Sequence, residues 1–213
     1  TGEYAVPGQE TIAKLLPLVD YTRVALDGNA ASLPVGMEID LGSVAKGYTG
    51  AAPAALLREG GVTSALLDLG GNIQAVGAKP DGSPWRVGVR NPAGEGNIGV
   101  VEVDNQAVIT SGGYERYFEE DGVRYWHILD PKTGAPARSG LASVTVVGDD
   151  GLMCDGLSTA LFVMGREKAV EHWRQHRDFE AVLVAEDGSV TITPGLEGRF
   201  TLSQKGRTFT VVR

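Results

Sequence analysis

The chain has 213 residues, of which 42% are hydrophobic and 22% charged, and a formal net charge of −8. That mixture is ordinary for a globular protein; its acidity argues against a nucleic-acid backbone as partner, which requires clustered Lys and Arg, and no apolar run is long enough to cross a membrane as a helix. The single cysteine, Cys154, allows neither an internal disulfide nor a CxxC metal pair and leaves the redox compartment open, while the 30 glycines, dispersed rather than clustered, indicate many tight connections.

Taken in chain order, "GQETIAKLLPL" (8–18) predicts a short helix ending near Pro17. "YTRVAL" (21–26) and "GMEIDL" (36–41) read as strands around the turn "DGNAAS". Residues 42–61 predict a helix that closes at a Gly pair, with a kink or break at Pro53. "VTSALLDLGGNIQAVGA" (62–78) gives two strands about Gly70-Gly71, and "PWRVGVRNP" another; residues 99–134 alternate strands and turns. "ASVTVVG" (142–148) is a β-branched strand. Two helices follow, "CDGLSTALFVMG" and the amphipathic "GREKAVEHWRQH", and the tail reads as two hairpins with DG and KG turns. The fold class is therefore α+β, with mostly antiparallel sheets and a few packed helices. No internal repeat or linker divides the chain, so residues 1–213 are read as a single domain or part of one.

Several segments carry chemistry. Asp155 and Thr159 are four residues apart in an apolar helix and so share a face. Either Asp155 caps the helix N-terminus, or the two oxygens hold a hard cation. "DLGSVAKGY" (40–48) joins an expected strand end to a helix start, where unpaired N–H groups favour an anion. Lys46 there is either a point charge for phosphate or an exposed lysine on a plainly capped helix; neither a P-loop nor a GxGxxG spacing is present. "LDLGGNI" (67–73) is a tight turn whose glycines serve backbone geometry or a close ligand approach. His127, just before the turn "DPKTG", is either a general base or a satisfied histidine. His172 and His176 lie at i, i+4 without an HExxH pattern or third ligand, and read as a solvated helix face.

The motifs "DLGSVAKGY", "LDLGGNI", "ITSGGYERYF", "HILDPKTGAP" and "CDGLSTALFVMG", in that order, resemble those of the ApbE family of FAD:protein FMN transferases, over roughly Val6 to the C-terminus. The resemblance implies an ApbE-like, T-fold-like architecture. It implies an enzyme that binds FAD and Mg²⁺, splits the pyrophosphate, and attaches FMN to a threonine hydroxyl of an acceptor flavoprotein with release of AMP. By motif, Asp155, Thr159 and the main-chain carbonyl of Ser43 match metal ligands. Asp40, Lys46 and Ile128 match positions near the flavin nucleotide, and His127 matches a proposed base. An FAD pyrophosphatase, a non-catalytic FAD-binding module and a purely structural interaction domain are the alternatives.

There are departures. Gly113 stands where the family often has Asp, "GYTGAAPA" replaces a more usual continuation, and Cys154 replaces a common Ala, which suggests packing rather than ligation. Family members also carry a substantial region before the segment matching "TGEYAVP", so the domain is expected to be incomplete at its N-terminus and to self-associate or to meet a separate covering segment. The polar start contains no signal peptide. The resemblance nevertheless implies an extracytoplasmic or membrane-anchored protein, with the cytoplasm as the alternative.

Overall fold

The β-branched runs build one central sheet, and three of the four α-helices cover one of its faces. The computed structural model describes residues 4–203, 206 and 208–213. In chain order its elements are α1 (Gln9–Leu15), β1 (Ala25–Asp27), β2 (Ala30–Ser32), α2 (Ala45–Glu59), β3 (Ala65–Asp68), β4 (Asn72–Val76), β5 (Trp85–Arg90), β6 (Asn97–Val103), β7 (Ala107–Gly112), β8 (Tyr117–Glu120), β9 (Val123–Trp126), β10 (Leu141–Gly148), α3 (Gly151–Met164), α4 (Arg166–His176), β11 (Glu180–Ala185), β12 (Val190–Ile192), β13 (Phe200–Leu202) and β14 (Thr210–Val211). The class is α+β, and every strand pair is antiparallel except β12 with β14. No helix is long and apolar enough to cross a membrane among the described residues.

The main sheet has seven strands in the order β14-β12-β11-β10-β7-β4-β3, and a second has three in the order β13-β6-β5. Successive side chains of a strand point to opposite faces. Val144 and Val146 of β10 therefore join Leu161 and Phe162 of α3 and Trp173 of α4 in one core. Val147 joins Val87, Val101 and Phe200 in a second core against the smaller sheet. The result is three layers: helices, the seven-stranded sheet and the three-stranded sheet. β8 and β9 form a separate hairpin, running from the end of β7 back to His127.

Four expectations are corrected. "GMEIDL" (36–41) is not a strand, because it runs exposed with no partner, and a strand without a ladder is not stable. Tyr21–Arg23 forms a 3₁₀ turn capped by the Asp20 side chain, so only Ala25–Asp27 of its segment is a strand, paired with β2. α2 runs unbroken through Pro53. The final expected hairpin does not form: β13 pairs with β6, and β14 joins the main sheet beside β12. Lys205 of the expected KG turn lies outside the described residues. The DG hairpin, β11 with β12, forms as expected.

Candidate active site

The helix carrying Asp155 begins one turn earlier than its apolar run suggests. Asp150 is the N-cap, with its Oδ1 accepting from the N–H of Leu152 and of Met153. Asp155 is thus in the second turn and does not cap its own helix. Its Oδ2 instead accepts a 2.7 Å hydrogen bond from the N–H of Gly47, in the first turn of α2. The N-cap residue of α2 is Val44, which supplies no side-chain cap. One helix therefore lends the other its capping carboxylate. The approach is close: a Cβ on Gly47 would lie 2.3 Å from the Gly151 carbonyl oxygen and 2.6 Å from the Asp155 Cβ.

This arrangement revises the reading of the α2 N-terminus as an open anion site. The N–H groups of Val44 and Ala45 donate to the Leu41 carbonyl, and that of Gly47 donates to Asp155. The anion at this helix end is the protein's own. Asp40 leads into it, its Oδ1 accepting from the Gly42 N–H at 2.6 Å.

Asp155 is buried, at 6% exposure. Burial pushes its carboxyl above the usual range, against the opposing pull of the Gly47 hydrogen bond and the Lys46 charge. A buried anion so incompletely compensated favours a cation nearby. One turn on, Thr159 Oγ1 lies 3.0 Å from Ser111 Oγ, which also meets Ser158 Oγ at 2.8 Å. Hard oxygens surround this spot. Among the described residues no group of three His, Cys, Asp or Glu side chains forms a metal cluster, so any cation here depends on hydroxyl and carbonyl oxygens as well.

His127 directly follows β9. Its backbone N–H donates to the Arg116 carbonyl, and its Nδ1 lies 3.2 Å from the same oxygen. A carbonyl only accepts, so Nδ1 carries the proton and Nε2 is left with its lone pair. Burial is the largest influence on this imidazole and holds its pKa below the ordinary value; the Arg116 carbonyl and the Glu115 charge oppose it, and the Arg116 and Lys46 charges add to it. The neutral ring is thereby favoured. The turn after it is closed by Asp130, whose carbonyl accepts from Thr133 and Gly134 and whose N–H donates to the Ala135 carbonyl. Ile128, buried at 5% exposure, ties this segment to the core through its carbonyl and the Ala137 N–H.

Asp40, Ser43, Lys46, His127, Ile128, Asp155 and Thr159 all line one cavity of about 410 Å³. The same walls include Thr110, Ser111, Glu115 and Arg116, to which the sequence reading gave no role. Their signal was present in "ITSGGYERYF": paired hydroxyls at a strand end, then a charged pair. His172 and His176 lie away from the cavity, on α4, with His176 Nδ1 2.9 Å from the His172 carbonyl oxygen. Cys154 is buried and its thiol is pushed up to about 12, by burial first and then by Asp150, Asp149 and other carboxylates, so it packs as a neutral thiol. Gly113 has its own reason: a Cβ there would lie 2.9 Å from the Trp126 ring, which the Arg138 guanidinium covers from 4.8 Å.

Residues 1–183 match the family described as "ApbE family". The chain belongs to the ApbE family. It is 37% identical over 208 residues to an FAD:protein FMN transferase of Klebsiella pneumoniae (strain 342), an alignment covering 95% of this chain and 64% of that protein. It is 38% identical over 213 residues to one of Treponema pallidum (strain Nichols), covering 92% and 59%. Among solved structures, the ApbE protein of Thermotoga maritima superposes with a TM-score of 0.85 at 36% identity, covering 92% of this chain and 64% of that one. The Pseudomonas stutzeri flavinyl transferase ApbE gives a TM-score of 0.78 at 37% identity, covering 92% and 62%. This ApbE chain therefore spans less than two thirds of the length of these relatives.

Proposed function

We propose that this chain carries the catalytic part of an Mg²⁺-dependent FAD:protein FMN transferase. The observation that carries the reading is that all seven residues singled out by motif line a single cavity. Two similar relatives carry the name FAD:protein FMN transferase, and two similar solved structures are ApbE proteins, which supports the reading.

In this reading a threonine hydroxyl of the acceptor flavoprotein attacks the phosphorus on the riboflavin side of the FAD pyrophosphate. The new bond is a phosphate ester between threonine and FMN. The P–O bond to the other phosphate breaks, and AMP leaves. His127 Nε2 takes the hydroxyl proton; its tautomer, set by the Arg116 carbonyl, is the one that task needs. Lys46 offers a charge to the phosphates, and Asp40 and Ile128 flank the nucleotide. Asp155, Thr159 and the Ser43 carbonyl would hold Mg²⁺. Their all-oxygen donor set fits that ion, and the incompletely compensated Asp155 charge is a specific reason for a cation. When bound, the ion would neutralise charge on the pyrophosphate oxygens. By the same family likeness, we propose that the protein acts outside the cytoplasm, which cell fractionation would test.

The test is to incubate the full chain with FAD, Mg²⁺ and a flavoprotein bearing the acceptor threonine. The expected result is an acceptor heavier by FMN, with one AMP released per modification. AMP release without an acceptor would identify an FAD pyrophosphatase instead. FAD binding without AMP release would identify a non-catalytic module.

A further inference from the structure

Arg116 follows the end of β7 by four residues and opens the β8–β9 hairpin. Three observations concern it. Its carbonyl receives both the N–H and the Nδ1 of His127. It lines the same cavity as Lys46, Asp155 and Thr159. Its guanidinium is close enough for its charge to act on the His127 imidazole. Among the described residues, however, that guanidinium makes no ion pair. The other hairpin arginine, Arg124, is differently placed: it pairs with Glu119 at 3.0 Å and lies 4.1 Å above the Tyr117 ring.

An unpaired guanidinium beside the base of a cavity that must accept two phosphates has an evident ligand. Its planar fork of N–H donors matches phosphate oxygens in a way a lysine cannot. Lys46 lines the cavity from α2, and Arg116 from the start of the hairpin. We propose that Arg116 is a pyrophosphate-binding residue of this site, gripping an FAD phosphate with its guanidinium while its carbonyl holds the imidazole of His127. One residue then sets the position of both the phosphate and the base that serves it. This rests on the transferase reading above.

The test compares Arg116→Gln and Arg116→Lys with the parent protein by flavin fluorescence, using FAD and riboflavin as probes with Mg²⁺ present. A charge-assisted hydrogen bond to phosphate should make FAD binding about tenfold weaker in Arg116→Gln. Riboflavin, which has no phosphate, should bind all three proteins equally. Arg116→Lys should recover part of the loss, because it keeps the charge but not the fork. A second readout separates contact from mere folding. The charges facing His127 are Arg116 and Lys46, which disfavour protonation, and Glu115, which favours it. Removing the Arg116 charge should move the acid limb of the pH–rate profile to higher pH in Arg116→Gln but not in Arg116→Lys. Equal FAD affinity in all three proteins overturns the assignment and leaves the transferase reading intact. Equal losses of FAD and riboflavin binding in Arg116→Gln would also overturn it, as the mark of a distorted site. Failure of the parent protein to bind FAD would remove both readings together.

Discussion

Asp155 and His127 face one cavity with opposite burdens. Asp155 is an anion in a dry place, and His127 is a base kept neutral. Asp155→Asn keeps the side-chain volume and leaves an oxygen for the Gly47 amide, yet removes the charge. We expect it to abolish the Mg²⁺ dependence of FAD cleavage while leaving the fold intact. FAD cleavage measured against Mg²⁺ concentration checks this, and an unchanged dependence would leave Asp155 only as a cap for α2. His127→Ala should lower the transfer rate by about 10²–10⁴-fold, the usual cost of losing a general base, with little change in FAD affinity. The sign of the pH dependence follows from the lowered pKa. The base works when neutral, so the rate should fall as pH drops through that pKa, with a midpoint below the ordinary histidine value of about 6.5. A kcat/KM profile in the free protein would read it. The sequence made these residue types legible because motif order carried them. It could not give the tautomer of His127 or the true partner of Asp155, since both depend on backbone atoms remote in sequence.

At the scale of elements, two carboxylates five residues apart, one at the N-cap of α3 and one within it, do different work. Asp150 caps α3 and Asp155 caps α2. Asp150→Ala should therefore cost about 0.5–2 kcal/mol of stability, with no change in the metal dependence of activity. Gly47→Ala should do more. Its Cβ would meet a backbone carbonyl of α3 at 2.3 Å, which cannot yield as a flexible side chain could. Such crowding costs about 1–3 kcal/mol, and because it pushes α2, which Ser43 leads into, away from α3, which bears Asp155, it should weaken Mg²⁺ activation as well. Thermal unfolding and Mg²⁺ titration of both variants would test the pair. Helices and central strands were readable from periodicity, but two kinds of segment were not. "GMEIDL" alternates as a strand does yet finds no partner. β13 and β14 look like a hairpin, but β13 pairs with the remote β6 and β14 with β12, which is tertiary context overriding a local signal.

Across the whole molecule, burial is uneven. Among the described residues, Ala54 is the only apolar side chain before Ile73 that is fully buried apart from glycines, and both cores begin at or after Ile73. Tyr21, Leu26, Val35, Leu41, Leu56 and Leu66 stay exposed. Apolar surface of this kind seeks cover, so we expect the 213-residue chain to self-associate in solution. Sedimentation should show species larger than the monomer, and Leu56→Lys combined with Leu66→Lys should reduce them. A monodisperse monomer would rule this out. The same unevenness divides the molecule in time. Segments with few buried contacts open with low free energy, whereas packed cores open only with the whole. The backbone amides before α2 should thus exchange with deuterium early, and those of β10 and β11 last. The Gly47 amide stands on the boundary, in the first turn of α2 and held by a carboxylate of α3. Its exchange rate would report how often the two parts separate, and so how often the cavity between them loses its shape.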